Sequence, residues 1–171
     1  MHMSDSRVIA ASPDELWAAI LNAEVLKQCV PGCQEMTGTP QDGFDATVVQ
    51  KVGPVKATFK GHVAFSDMVP GQSLTLTGEG KGGAAGFAKG TASVSLKTVD
   101  DGTELIYDVE AKVGGKLAQL GSRIIDGFAK KMADQFFSNL QHAVEGPQED
   151  DENIEPEGGE KKKGWFRKLV S

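Results

Sequence analysis

A chain of 171 residues with a net charge of −6 has room for one domain of about 140 residues and a tail. Residues 1–145 carry 13 basic and 17 acidic side chains, which argues against nucleic acid as a partner, because phosphate contacts need a basic face. No stretch approaches the roughly 20 apolar residues of a membrane-spanning helix, and no charged-then-apolar leader precedes the domain.

A strand is weakly legible at about Ser4 to Ala10. Ser12-Pro13-Asp14-Glu15 then starts a helix. Ser12 can cap, Pro13 suits the first helical position, and Glu15 completes a capping box. That helix, Pro13 to Leu21, turns Leu16, Trp17 and Ile20 to a core. A second short helix, about Ala23 to Gln28, must end before Val30-Pro31-Gly32, because Pro31 disfavours helix at Val30.

The apolar period then changes from helical to two. Phe44, Ala46, Val48, Gln50 and Val52 form one inward row. Val55, Ala57, Phe59, Gly61, Val63 and Phe65 form the clearest one. Leu74 and Leu76 continue in phase with Gly78 and Gly80. Two more rows run Ala88 to Leu96 and Leu105 to Val113. One apolar and one wet face is the pattern of an antiparallel sheet. Asp42-Gly43, Gly53-Pro54, Pro70-Gly71 and Asp101-Gly102 mark the turns between strands.

A long helix is predicted from about Lys116 to Glu145. Its stripe is Leu117, Leu120, Ile124, Phe128, Met132, Phe136, Leu140 and Val144, which must rest on the sheet. The fold class is therefore α+β, a curved antiparallel sheet of about six to seven strands around a long C-terminal helix. Gly146-Pro147 ends the helix. Residues 146–160 carry seven acidic and no basic side chains and predict a disordered linker. Residues 161–171 follow as a basic amphipathic tail. Lys161, Lys162, Lys163, Arg167 and Lys168 supply the charge, and Trp165, Phe166, Leu169 and Val170 share a face if the segment is helical. That pattern fits an anionic membrane surface, with a protein-docking peptide as the alternative.

Little in the chain suggests catalysis. His2, His62 and His142 are isolated and read as surface or structural histidines. Cys29 and Cys33 straddle a Pro-Gly turn at neither redox nor zinc spacing, so inert reduced thiols are expected. The run from Gly78 to Gly90 is glycine-rich, but no Gly-Lys in it precedes Ser or Thr. It reads as a hairpin rather than a phosphate loop. No metal site and no cofactor are expected.

The inward rows are unusually poor in bulk, with Ala46, Ala57, Gly61, Gly78, Gly80, Ala88, Gly90, Ala92 and Ala111. The facing helix adds Gly121 and Gly127. Interiors normally close-pack. Phe59, Phe65, Phe87, Tyr107, Phe128, Met132 and Phe136 either fill the space or line an apolar pocket. The candidate ligand-binding set is these seven with Val63, Leu76, Leu120 and Ile124.

Several motifs in order resemble the CoxG family, the G-subunit family of carbon monoxide dehydrogenase. They are Trp17 after the Ser-Pro helix start, Val30-Pro31-Gly32-Cys33, the run from Lys51 to Gly61, Gly78-Glu79-Gly80-Lys81-Gly82, Gly86-Phe87-Ala88-Lys89-Gly90, and the run from Val113 to Arg123. The resemblance spans roughly residues 5–145. It implies a START-like, helix-grip fold and an apolar cavity. It further implies association with a molybdenum hydroxylase of the carbon monoxide dehydrogenase type, recruitment of that enzyme to the membrane, and binding of a membrane quinone. It supplies no catalytic residues.

Three functions follow as expectations. The first is a non-enzymatic carrier of a hydrophobic small molecule, a quinone or other prenyl lipid, in the cytoplasm and peripheral on the inner face of the plasma membrane. The second is a recruitment adapter without a ligand. The third is a cyclase or hydrolase, which needs a buried polar cluster such as Tyr107 near Gln50 or Asp108.

Overall fold

The computed structural model describes residues 1–145. The expectations for residues 146–160 and 161–171 lie outside the described residues.

The chain opens with strand β1 (His2–Ile9), followed by helices α1 (Pro13–Ile20) and α2 (Ala23–Cys29). Six further strands follow: β2 (Cys33–Thr39), β3 (Gly43–Val52), β4 (Val55–Val69), β5 (Ser73–Lys81), β6 (Phe87–Val99) and β7 (Gly102–Gly114). A 3-10 turn, Gly115–Leu120, leads into helix α3 (Ser122–Glu145). The seven strands form one antiparallel sheet in the order β1-β7-β6-β5-β4-β3-β2. Hairpins link β2 through β7, and only β1 reaches its neighbour from far away in sequence.

The predicted capping box is present. The Glu15 N–H donates to Ser12 Oγ at 3.1 Å, and the Ser12 N–H donates to Glu15 Oε1 at 2.9 Å. Three boundaries differ from the sequence reading. β1 begins at His2 rather than Ser4, because an edge strand needs only backbone pairing with β7. β2 has a single large apolar residue, Met36, and so no legible period. The long helix begins at Ser122, not Lys116. Gly121 adopts φ 90°, a left-handed conformation that breaks the helix and leaves Lys116–Leu120 as a separate turn.

The sheet is bent sharply by two inward glycines. A Cβ on Gly61 would meet the Glu79 carbonyl oxygen at 2.5 Å, and one on Gly90 would meet that of Glu110 at 2.5 Å. Neighbouring strands therefore crowd at these points, and only glycine tolerates the crowding.

The solid core lies at one end of the sheet. Ile9, Leu16, Ile20, Leu74, Leu105 and Leu140 are buried there, with α1 and α2 closing that end. Thr103 is the buried polar residue, and its hydroxyl donates to the Ala11 carbonyl at 2.7 Å. Phe44 and Phe65 meet edge to face at 5.3 Å. At the other end, where β3, β5, β7 and the start of α3 come together, most inward side chains other than Val52 are only half-buried.

Candidate ligand cavity

Between α3 and the half-buried end of the sheet lies an apolar cavity of about 460 Å³. Its floor is Val48, Gln50 and Val52 of β3, Phe59 of β4, Gly80 of β5 and Ala88 of β6. Val109, Ala111 and Val113 of β7 continue the floor, and Met1 and Met3 flank it. The roof is Ile125, Phe128, Ala129, Met132, Ala133 and Phe136 of α3. Val30, Pro31 and Leu117 complete the wall. The volume exists because Gly80, Ala88 and Ala111 on the floor face Ala129 and Ala133 on the roof. A Cβ on Gly80 would have only Phe59 near it, at 3.9 Å.

The wall is almost entirely carbon. Gln50 is the amide among the lining residues, and its Nε2 already donates to the Pro31 carbonyl. That bond ties the loop after α2 to β3. The Val49 N–H reinforces it by donating to the Gly32 carbonyl at 2.9 Å. A larger groove of about 740 Å³ lies on the opposite face of the sheet, but Glu79, Lys89, Glu110 and Lys112 line it and nothing roofs it with hydrocarbon. The smaller cavity is the one with the chemistry of a hydrophobic site.

Four of the sequence-predicted ligand residues, Phe59, Phe128, Met132 and Phe136, meet in this cavity. Val63, Phe65, Leu76 and Tyr107 share the concave face but lie outside the lining. Phe65 and Leu76 pack against the solid core, as does buried Tyr107. Phe87 is on the opposite face, 37 % exposed, with its ring over Gly114. Leu120 and Ile124 sit outside, near the β3–β4 turn at Gly53, and Ile124 is 40 % exposed.

The displacement of Ile124 is a matter of helical phase. At 3.6 residues per turn, each step of four overshoots by about 40°. A stripe read at steps of four from Ile124 to Leu140 therefore winds around the helix. Ile125, Ala129 and Ala133 take the inward face that Ile124 was expected to hold. The alanines were missed because small residues carry little period. On the floor, the small residues themselves were the signal.

Tyr107 and Asp108, named for a cyclase or hydrolase, lie on opposite faces of the sheet. Tyr107 points inward and stacks on Phe137. Asp108 points outward, where its Oδ1 meets His2 Nε2 at 2.8 Å. Burial raises the Tyr107 hydroxyl, and the nearby charges of Asp5 and Asp134 raise it further. Burial also pushes the Cys29 thiol from its ordinary 9.0 to about 11. Among the described residues, no group of three or more His, Cys, Asp or Glu converges as a metal site. His62 and Asp45 pair at 2.8 Å on the wet face.

Among solved structures, a conserved protein from Geobacillus kaustophilus is similar. It is 26 % identical with TM-score 0.79, and the match covers 85 % of this chain and 95 % of that one. A START superfamily protein from Mycobacterium smegmatis shares the fold at 15 % identity and TM-score 0.63, covering 84 % and 97 %. A protein from Thermus thermophilus does so at 12 % identity and TM-score 0.61, covering 84 % and 97 %. No curated protein matches the sequence. The carbon monoxide dehydrogenase G-subunit (CoxG) family matches residues 6–145, which is nearly every residue of the sheet, its three helices and the cavity they enclose. The chain belongs to that family.

Proposed function

We propose that this chain is a non-enzymatic carrier of a prenylated hydrophobic ligand, a quinone for preference, serving a carbon monoxide dehydrogenase-type molybdenum hydroxylase at the membrane. The observation that carries the reading is the apolar cavity of about 460 Å³ under α3. A solid interior would have closed this space with larger side chains. The family name supports the link to the dehydrogenase. The basic, aromatic tail at residues 161–171 supports membrane attachment.

The wall chemistry narrows the ligand. Leaving a carbonyl buried without a partner costs roughly 1–3 kcal/mol. The one amide in the wall, Gln50, gives one N–H to Pro31 and keeps its second N–H and its Oε1 for at most one polar group of a ligand. The rest of the ligand held inside is therefore hydrocarbon, as in a prenyl chain. Organic-solvent extraction of natively purified protein, followed by mass spectrometry, tests this. A stoichiometric prenyl lipid is expected. Protein that neither retains nor binds any such compound would refute the carrier reading and leave the ligand-free recruitment adapter.

A further inference from the structure

The strand register places lysines directly opposite one another on the wet face at three points. Lys51 pairs with Lys56, Lys60 with Lys81, and Lys89 with Lys112. Like charges facing across strands are destabilising. All three pairs lie in the half of the sheet that carries the cavity. Lys116 of the 3-10 turn and Arg123 of the first turn of α3 join them there. All eight cations are exposed. Among the described residues, none has an ion-pair partner. The acidic residues of this end are Glu35, Glu79, Glu110 and Asp126, and Glu35, Asp45 and Glu79 share a wet-face groove with Lys60 and Lys81. Glu79 lies across from Lys89 in the register without closing an ion pair. The far end is acidic instead, with Asp14, Glu15, Asp42, Asp100 and Asp101.

Two exposed apolar side chains stand among these lysines. Phe87 lies opposite Lys81 and two residues from Lys89. Ile124 lies under the turn that joins Lys51 to Lys56. Unpaired cations around isolated apolar residues suit an interface of anionic headgroups over hydrocarbon.

We propose that this open end of the domain docks directly on an anionic phospholipid surface, so that the cavity faces the bilayer. Its purpose rests on the carrier reading, since a prenyl chain enters and leaves through lipid, but the docking itself needs no ligand.

Vesicle flotation of the full-length chain tests the proposal. The vesicles are phosphatidylcholine with about a third phosphatidylglycerol, a strongly anionic surface. A variant with Lys51, Lys56, Lys60, Lys81, Lys89 and Lys112 all changed to Gln should bind at least roughly tenfold more weakly than wild type. Lys97→Gln at the far end, opposite Glu104, should bind as wild type. Equal binding by the six-site variant, or an equal loss in the far-end control, overturns the proposal. So does unchanged vesicle binding accompanied by lost association with the dehydrogenase, which would make the basic end a site for an acidic protein.

A second measurement avoids multiple substitution. In a Cys33→Ser background, an environment-sensitive fluorophore at Ala84→Cys, in the turn beside the cavity, should shift to the blue on these vesicles. The same probe at Thr98→Cys should not. The reverse pattern overturns the orientation. Ligand extraction from the six-site variant reports on the carrier reading separately, because none of the six lysines lines the cavity.

Discussion

Tyr107 and Phe137 stack with ring centroids 4.6 Å apart and planes inclined by 21°. The contact divides the interior in two. On one side of it the helix, α1 and the sheet pack into a solid core. On the other side α3 spans a gap. Phe136, one residue earlier, meets Phe137 edge-on at 5.0 Å and forms the wall of the cavity. Phe137 packs on the core, whereas Phe136 touches both the core and the cavity.

Replacing Tyr107 separates these roles. Tyr107→Phe should leave both folding and ligand retention unchanged, because the hydroxyl has no hydrogen-bond partner among the described residues. Tyr107→Ala should cost roughly 3–5 kcal/mol of stability, as expected for loss of a buried aromatic side chain. Urea denaturation checks both. An activity abolished by Tyr107→Phe would revive the cyclase or hydrolase alternative.

Filling the cavity should abolish binding without harming the fold. Gly80→Val puts methyl groups into the space where a Cβ already has room, and it favours the strand. Ligand retention should fall roughly tenfold or more, equivalent to about 1.4 kcal/mol. The thermal midpoint should stay at or above that of the wild type. Titration with a prenylated probe, alongside a melting curve, reads both quantities.

The glycines should respond in opposite directions. Gly61→Ala drives a methyl against the Glu79 carbonyl and should destabilise by roughly 1–3 kcal/mol. Gly127→Ala meets open space on an exposed turn of α3 and should stabilise by about 1 kcal/mol through helix propensity alone. A common loss of stability at both sites would contradict this account of why the sheet bends.

Cys29 should behave as a buried neutral thiol and Cys33 as an accessible one. Ellman's reagent should titrate one cysteine in the native protein and two after denaturation. Because the folded pKa of Cys29 is about 11 against an ordinary 9.0, the native state holds a proton that the unfolded chain releases. The resulting stability, roughly 2–3 kcal/mol, is present below pH 9 and lost as pH rises through about 11. Cys29→Ala should lack this part of the alkaline decline in denaturation curves from about pH 8 to 11.

Most of the architecture is written in the period of the apolar residues. The rows of β3 through β7 alternate cleanly, and the Ser12–Glu15 box fixes the start of α1. β2 is not legible, because Met36 alone gives it no rhythm and its place comes from pairing with β3. The cavity was legible as a deficit of bulk on the floor, at Gly80, Ala88 and Ala111. Its exact lining was not. Ile124 and Ile125 are neighbours, and only the break at Gly121 and the drift of the stripe decide which faces inward. The lysine pairs were also hidden. Net charge averages over the whole body, whereas the pairs exist only once the strand register sets Lys60 beside Lys81.

The half-covered walls beneath α3 couple cargo to survival of the carrier. Anything that fills the space binds the folded chain and not the unfolded one, so occupancy at about a hundred times the dissociation constant adds about 2.7 kcal/mol. Empty molecules would melt earlier and open to proteases more often than full ones. A cell that ran short of the guest molecule would therefore thin its stock of the host, with no dedicated sensor.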